Sequence, residues 1–322
     1  MPATVTHSFF AKDVFDILPE DIQNNIDVNR SKMFGQSLDS LMFYNLFSFM
    51  PGKRIRNFRS YFHTNRSQDY FINLSNYIKD NNINDKDTYS FLLGMICHYA
   101  LDSTIHPYVF YKTGLYSRSE PCTFKYNNVH AFMETFIDND MISRRLKTNP
   151  YKFNFKDFCF DIYPFSDDLN KTIYYSFYNT FNISDMNNVY YKSLKQMRTA
   201  INIFRRDPYG IKKFFYKLAD TFSFKGTYRF EAISYHYPLE DKHNYLNSNH
   251  STWRHPVIYD QTSTESFVDL YLKAIKSAKV LMCASWDYLN GKDIELEKIF
   301  TNLSYTTGLD CNDGREMKYF EY

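Results

Sequence analysis

Asn84-Asp85-Lys86-Asp87-Thr88-Tyr89-Ser90-Phe91-Leu92-Leu93-Gly94-Met95-Ile96-Cys97-His98-Tyr99-Ala100-Leu101-Asp102-Ser103-Thr104-Ile105-His106-Pro107 is the stretch whose reading decides the fold. Asn84 stands as an N-cap with Asp87 three residues on, close to a capping-box pattern. Phe91, Leu92, Met95 and Ile96 fall at helical spacing and carry the helix to about Ile105, with Pro107 expected to stop it soon after. Gly94 lies mid-helix, where glycine costs ~1 kcal/mol relative to alanine. Its presence there predicts the close approach of another backbone.

His98, Asp102 and His106 are spaced i, i+4, i+8 on this helix. Each step of four residues turns the helix by only ~40°, so the three side chains form one stripe. An imidazole and a carboxylate one turn apart can hold a single Zn²⁺ at ~2.0–2.2 Å, and a carboxylate between two imidazoles can bridge two ions. His130 and Glu134 repeat the i, i+4 arrangement on the next predicted helix. One such pair is weak evidence, because a chain with 9 His and 36 acids offers it about once by chance; two elements on consecutive helices are stronger. The alternative is a buried His–Asp hydrogen bond without metal, which the apolar neighbours Met95, Ile96 and Leu101 would equally require to be paired.

Working outward, further helices are expected over 9–18, 36–49, 66–80, from Asn127 or Asn128 to about Lys147, over 174–206 with a break near 182–184, over 209–222, and over 264–290 with Gly291 as its stop signal. Residues 223–262, rich in Tyr, His, Asn and Pro, read as a long loop. Within it, Trp253 and Arg254 are open to two readings, as a cover over a cleft touching lipid or phosphate, or as part of an ordered loop held by aromatic packing. No strand alternation supports a sheet and no linker divides the chain. The expected fold is all-α, a multi-helix bundle forming one domain over 1–322, with the candidate ligands in 1–140 and helical completion plus the loop in 141–322.

Composition narrows the function classes. The net charge is +2 with both signs interspersed, which gives no strong nucleic-acid signal. The densest basic run, Lys53 to Arg59, reads as a solvated helix face or loop. The cysteines Cys97, Cys122, Cys159, Cys283 and Cys311 form no Cys-x-x-Cys pair, so neither a thiolate knuckle nor a disulfide framework is expected, which favours a reducing compartment. The amino terminus lacks a cationic and apolar leader, and no apolar run approaches the ~20 residues of a membrane span. These features predict a cytoplasmic location and no transmembrane segment; they leave the oligomeric state open.

His98-Tyr99-Ala100-Leu101-Asp102, followed by His106-Pro107 and then His130-Ala131-Phe132-Met133-Glu134, resembles the core signature of the bacterial zinc-dependent phospholipase C family. That family is all-helical and holds three zinc ions in one cleft. Its ligand order is an early His, an Asp, a His, a His-x-x-x-Asp, a His and a His-x-x-x-Glu. His7, Asp39 and His63 stand in the same order before the signature. The resemblance implies that Asp39, His63, His98 and Asp102 bind one ion, that His106, His130 and Glu134 bind a second, and that His7 with bridging Asp102 binds a third. It also implies a catalytic role for Asp39 as general base. In the secreted members a terminal Trp completes the third site; here removal of Met1 would offer the amine of Pro2 instead, so two to three zinc ions are expected. The membrane-binding β-domain of the secreted toxins is not seen.

The implied chemistry is hydrolysis of a phospholipid to diacylglycerol and a phosphorylated head group, with zinc polarising the phosphate and acidifying a water. Two alternatives stay open. Zinc-dependent single-strand nucleases and nucleotidases share a similar tri-zinc helical site, and a non-catalytic zinc-stabilised helical protein would carry the same ligands.

Overall fold

The computed structural model describes residues 4–46, 48–222, 229–236 and 240–321. The helices are α1 (Thr4–Asp16), α2 (Glu20–Asn24), α3 (Val28–Phe34), α4 (Lys53–Thr64), α5 (Ser67–Asp80), α6 (Lys86–Thr113), α7 (Val129–Leu146), α8 (Phe155–Cys159), α9 (Asp167–Phe181), α10 (Met186–Phe204), α11 (Ile211–Thr221), α12 (Phe267–Leu289) and α13 (Leu296–Ile299). The only sheet among the described residues is β1 (Trp253–Arg254) paired antiparallel with β2 (Thr262–Ser263). The chain is therefore the mostly helical bundle that the sequence predicts.

α6 is the axis of the bundle. Nearly every residue from Asp87 to Val109 is buried, so it is an all-round interior helix rather than an amphipathic one. It packs against α12, α3, α1 and α7, and the core built around it runs without a gap from Val5 to Tyr305.

Three details of this helix correct the sequence reading. The N-cap is Asp85, not Asn84: its Oδ2 accepts from Thr88 N at 2.9 Å. Asp87 instead turns inward to Arg30. Pro107 does not end the helix, which continues to Thr113. Proline removes only the bond to the carbonyl four residues back, that of Ser103. Gly308, at φ +66°, packs directly on Ser103 O and Pro107, where any Cβ would overlap the carbonyl. The tail thus covers the place where the ladder is broken.

The expectation for Gly94 holds. A Cβ there would lie 2.6 Å from the Phe34 carbonyl carbon and 2.8 Å from Gly35 N. The end of α3 therefore lies directly on α6, one turn before His98. Gly94→Ala is expected to cost about 1–3 kcal/mol by overpacking, read as a lower urea midpoint. Wild-type stability in that variant would contradict this packing.

Elsewhere the boundaries moved. Of the expected helix over 36–49, the described residues form instead a 3-10 turn over Ser37–Phe43, which opens at Ser37 (φ +44°) and is followed by Asn45 (φ +55°), both left-handed. The predicted 174–206 helix is the pair α9 and α10, parted at 182–185 and starting at Asp167. α12 starts at a capping box formed by Ser266 and Asp269, a few residues after the expected start at 264. Residues 223–228 and 237–239 of the expected loop lie outside the described residues. In the remainder, Trp253 is buried with Nε1 donating to Glu265 O at 2.9 Å, and Arg254 stacks on Tyr259 at 3.9 Å. His236, His250 and His255 each bond a backbone carbonyl. These contacts match the packing reading of this segment.

Candidate metal centre

Each candidate ligand arrives on a separate, locally explained element. α1 brings His7, and its first turn is fixed by Asp138 of α7, which accepts from Thr6 N at 2.9 Å, Thr6 Oγ1 at 2.9 Å and Val5 N at 3.3 Å. Such a carboxylate meets the unpaired N–H groups and positive end of a helix. The 3-10 turn brings Asp39, the last turn of α4 brings His63, α6 brings the stripe, and α7 brings His130 and Glu134.

The imidazoles are oriented by acceptors behind them. His63 Nδ1 donates to Arg59 O at 2.6 Å, His98 Nδ1 to Gly35 O at 2.9 Å, and His106 Nδ1 to Tyr305 O at 2.7 Å. A carbonyl can only accept, so each Nδ1 carries the proton and, in the neutral ring, each Nε2 presents a lone pair. Metal-ligating histidines are oriented in this way.

Those lone pairs converge. His63 Nε2 and His98 Nε2 face each other at 3.2 Å. Asp102 Oδ2 lies 3.1 Å from His98 Nε2, 4.0 Å from His63 Nε2 and 3.6 Å from His106 Nδ1, while Asp102 Oδ1 lies 3.5 Å from His7 Nε2. Asp39 Oδ1 is 3.5 Å from His63 Nε2. His7 stacks on His98 with centroids 4.5 Å apart. In one group, ligand atoms of His7, Asp39, His98 and Asp102 all lie within 4.8 Å of one another; in another, those of His106, His130 and Glu134 do. His130 Nε2 sits 2.9 Å from Glu134 Oε1. The structure thus brings all eight predicted residues to one place, with Asp102 central.

The donor set fits a cation. Asp102 Oδ2 is fully buried and accepts no well-formed hydrogen bond. Facing imidazole lone pairs and a buried carboxylate oxygen without a donor are costly to bury without a positive charge. The electrostatics express the same need. Burial pushes His7 and His63 down to about 4. Burial also opposes charge on His98, but Asp102 and Asp39 outweigh it and raise the ring to about 9. Burial would raise Asp102, yet His106, His98 and His7 hold it well below the usual carboxylate range. The carboxylates thus draw positive charge to a site whose burial opposes it on the rings, which suits a bound cation.

The cluster forms the floor of a cleft of about 790 Å³, with Met42, Phe110, Leu115 and Tyr116 on its apolar sides and Arg59 and Arg118 as its cations. Arg59 Nη1 bonds Asp39 Oδ1 at 2.9 Å. Burial would raise Asp39, but Arg59 and then His63 hold it below the usual range. The run Lys53–Arg59 therefore lies on a helix, as one of its readings had it, but its last cation points into the cleft rather than into solvent.

Sequence reasoning missed three contributors. Asp138 continues the His130–Glu134 stripe by one more turn, a signal that was present but not extended. Arg59 was hidden in a basic run. Tyr305 and its neighbours were invisible, because they act through the backbone: Tyr305 N donates to His63 O at 2.8 Å, while its carbonyl holds His106.

The sequence model of one known family, zinc dependent phospholipase C, matches residues 6–196, a span that contains all eight candidate ligands. No curated protein and no solved structure matches the chain significantly. The match covers more than half of the chain and coincides with a buried His/Asp cluster able to bind metal, so the chain belongs to the zinc-dependent phospholipase C family.

Proposed function

We propose that the protein hydrolyses the phosphodiester of a phospholipid, releasing diacylglycerol and a phosphorylated head group. The observation that carries this reading is the convergence of imidazole lone pairs and carboxylates on the floor of an open, largely apolar cleft. Asp39, His63, His98 and Asp102 would hold one zinc ion, His106, His130 and Glu134 a second, and His7 with Asp102 a third. The amine of Pro2, the expected partner of the third, lies outside the described residues. Zinc bound there supplies Lewis acidity toward phosphate oxygens and makes a bound water more acidic.

The chain's own residues supply the rest. Asp39 is the proton acceptor at the cleft floor, kept ionised by Arg59. The same carboxylate, fixed in place by Arg59, is positioned to orient the attacking water as well. Arg118 makes no ion pair or hydrogen bond through its guanidinium among the described residues, which leaves it available for a phosphate or an anionic head group at the rim. Met42, Phe110 and Leu115 suit the acyl-bearing side of the substrate and keep water from it.

The test is direct. Zinc-loaded protein is incubated with mixed phospholipid vesicles, and diacylglycerol and phosphorylated head groups are quantified by mass spectrometry. Both products should appear in equal amounts, vanish after chelation and return with added zinc. Hydrolysis of single-stranded DNA or dinucleotides with intact lipid would select the nuclease reading instead. No turnover of any phosphodiester would leave the non-catalytic one.

A further inference from the structure

α11 is built the wrong way round for a helix on the surface of a protein. Ile211, Phe214, Phe215, Leu218 and Phe222 fall at i, i+3, i+4, i+7 and i+11, a single apolar stripe of the kind that normally faces a core. Here every one of them is 45% to 76% exposed, and α11 has no buried residue at all.

The opposite, polar face holds the helix to the protein. Lys212, Tyr216 and Asp220, one turn apart, are its only partly covered residues. Tyr216 OH donates to Phe204 O at 2.6 Å and Lys212 Nζ to Arg206 O at 2.5 Å. Asp220 accepts from Phe230 N and Glu231 N, both at 2.8 Å. Lys213 N donates to Asp207 Oδ2 at 2.9 Å. The anchoring is polar and specific, so the outward presentation of the stripe is fixed by the fold.

Lys217, about 60° round the helix from Phe214, borders the stripe, with Lys213 one turn before it and further round; neither side chain makes an ion pair among the described residues. Exposed aromatic and aliphatic residues bordered by a lysine, and continuous with a lipid-sized cleft, match an interfacial helix that lies in an anionic lipid surface.

The stripe also connects to the cleft. Phe215, Leu218 and Phe222 share a hollow with Phe230. Phe230 lines an apolar groove with Phe204, Leu46 and Met42. Met42 lines the metal cleft. The three depressions therefore adjoin, each sharing a residue with the next.

We propose that α11 is a membrane-docking element: its apolar stripe inserts into an anionic phospholipid surface, and the groove running through Phe230 and Met42 leads lipid toward the cleft. The groove's role rests on the phospholipase reading; docking does not, because it requires no turnover.

The experiment is vesicle flotation with zinc-loaded full-length protein, comparing phosphatidylcholine alone with phosphatidylcholine containing about one-third phosphatidylserine. Wild type should float with the mixed vesicles. Phe214→Ser/Phe215→Ser/Leu218→Ser should bind them at least about tenfold more weakly, while hydrolysing a soluble aryl phosphodiester at the wild-type rate. Should that variant fail to fold, Lys217→Glu, on an exposed side chain beside the stripe, should weaken binding to the anionic vesicles selectively. Equal flotation of wild type and variants, or no flotation of wild type, would overturn docking. So would a wild-type dimer that the apolar variant dissociates, which would assign the face to a second copy. If no form hydrolyses any phosphodiester, flotation still decides docking, and only the groove's role falls with the phospholipase reading.

Discussion

Asp102→Asn is expected to lower zinc content and hydrolysis together. Asp102 Oδ2 lies 3.1 Å from His98 Nε2 and Asp102 Oδ1 3.5 Å from His7 Nε2, so the proposed first and third ions would share it. Asparagine keeps the size and one acceptor oxygen but removes the charge that offsets the buried cations. Loss of an outer partner of a metal site costs about 10–100-fold in affinity or activity. A carboxylate shared between ions should cost at least about 100-fold in turnover, with zinc falling to one ion or none per chain. Mass spectrometry of the metal, with circular dichroism to show that the helices persist, reads both. Wild-type zinc content in this variant would remove Asp102 from the bridging position.

The second large effect is on stability. Arg30 is fully buried and forms a two-point ion pair with Asp87, Nε to Oδ1 at 2.5 Å and Nη2 to Oδ2 at 2.6 Å. Its third edge donates to Asp161 O at 2.9 Å, and its plane covers Tyr163 at 3.7 Å. The pair locks α3 to the start of α6, and α3 leads into the Gly35 carbonyl that orients His98. Arg30→Met leaves Asp87 buried beside only the Ser166 N–H. Breaking one side of a buried pair costs about 3–5 kcal/mol, visible as a lower urea midpoint. Arg30→Met/Asp87→Leu should recover much of that loss, because replacing both charges removes the stranded carboxylate. A single variant within about 0.5 kcal/mol of wild type would show that the pair does not lock α3 to α6.

The ligand stripe was legible because helical geometry turns sequence spacing directly into a shared face. His98, Asp102 and His106 could be placed together without any knowledge of the fold, as could His130 and Glu134. What orients them was not legible. The acceptors behind the rings are backbone carbonyls of Arg59, Gly35 and Tyr305, and a carbonyl leaves no trace in residue identity. The end of α6 was misplaced for a related reason. Proline's local preference was overridden by tertiary packing, with Gly308 from the far end of the chain covering the freed carbonyl. The same limit applies to α11. Its periodicity announced a helix, but periodicity cannot tell an apolar face turned to the core from one turned outward.

The central claim is that these eight residues hold zinc in one shared cleft. Its most direct test is the number of zinc ions per chain in carefully purified, untagged protein, measured by inductively coupled plasma mass spectrometry after equilibration with zinc and removal of the excess. The account predicts two to three. Zero or one ion, persisting after zinc is added back, would contradict it, and the stripe on α6 would then be a buried hydrogen-bonded cluster or a single stabilising site.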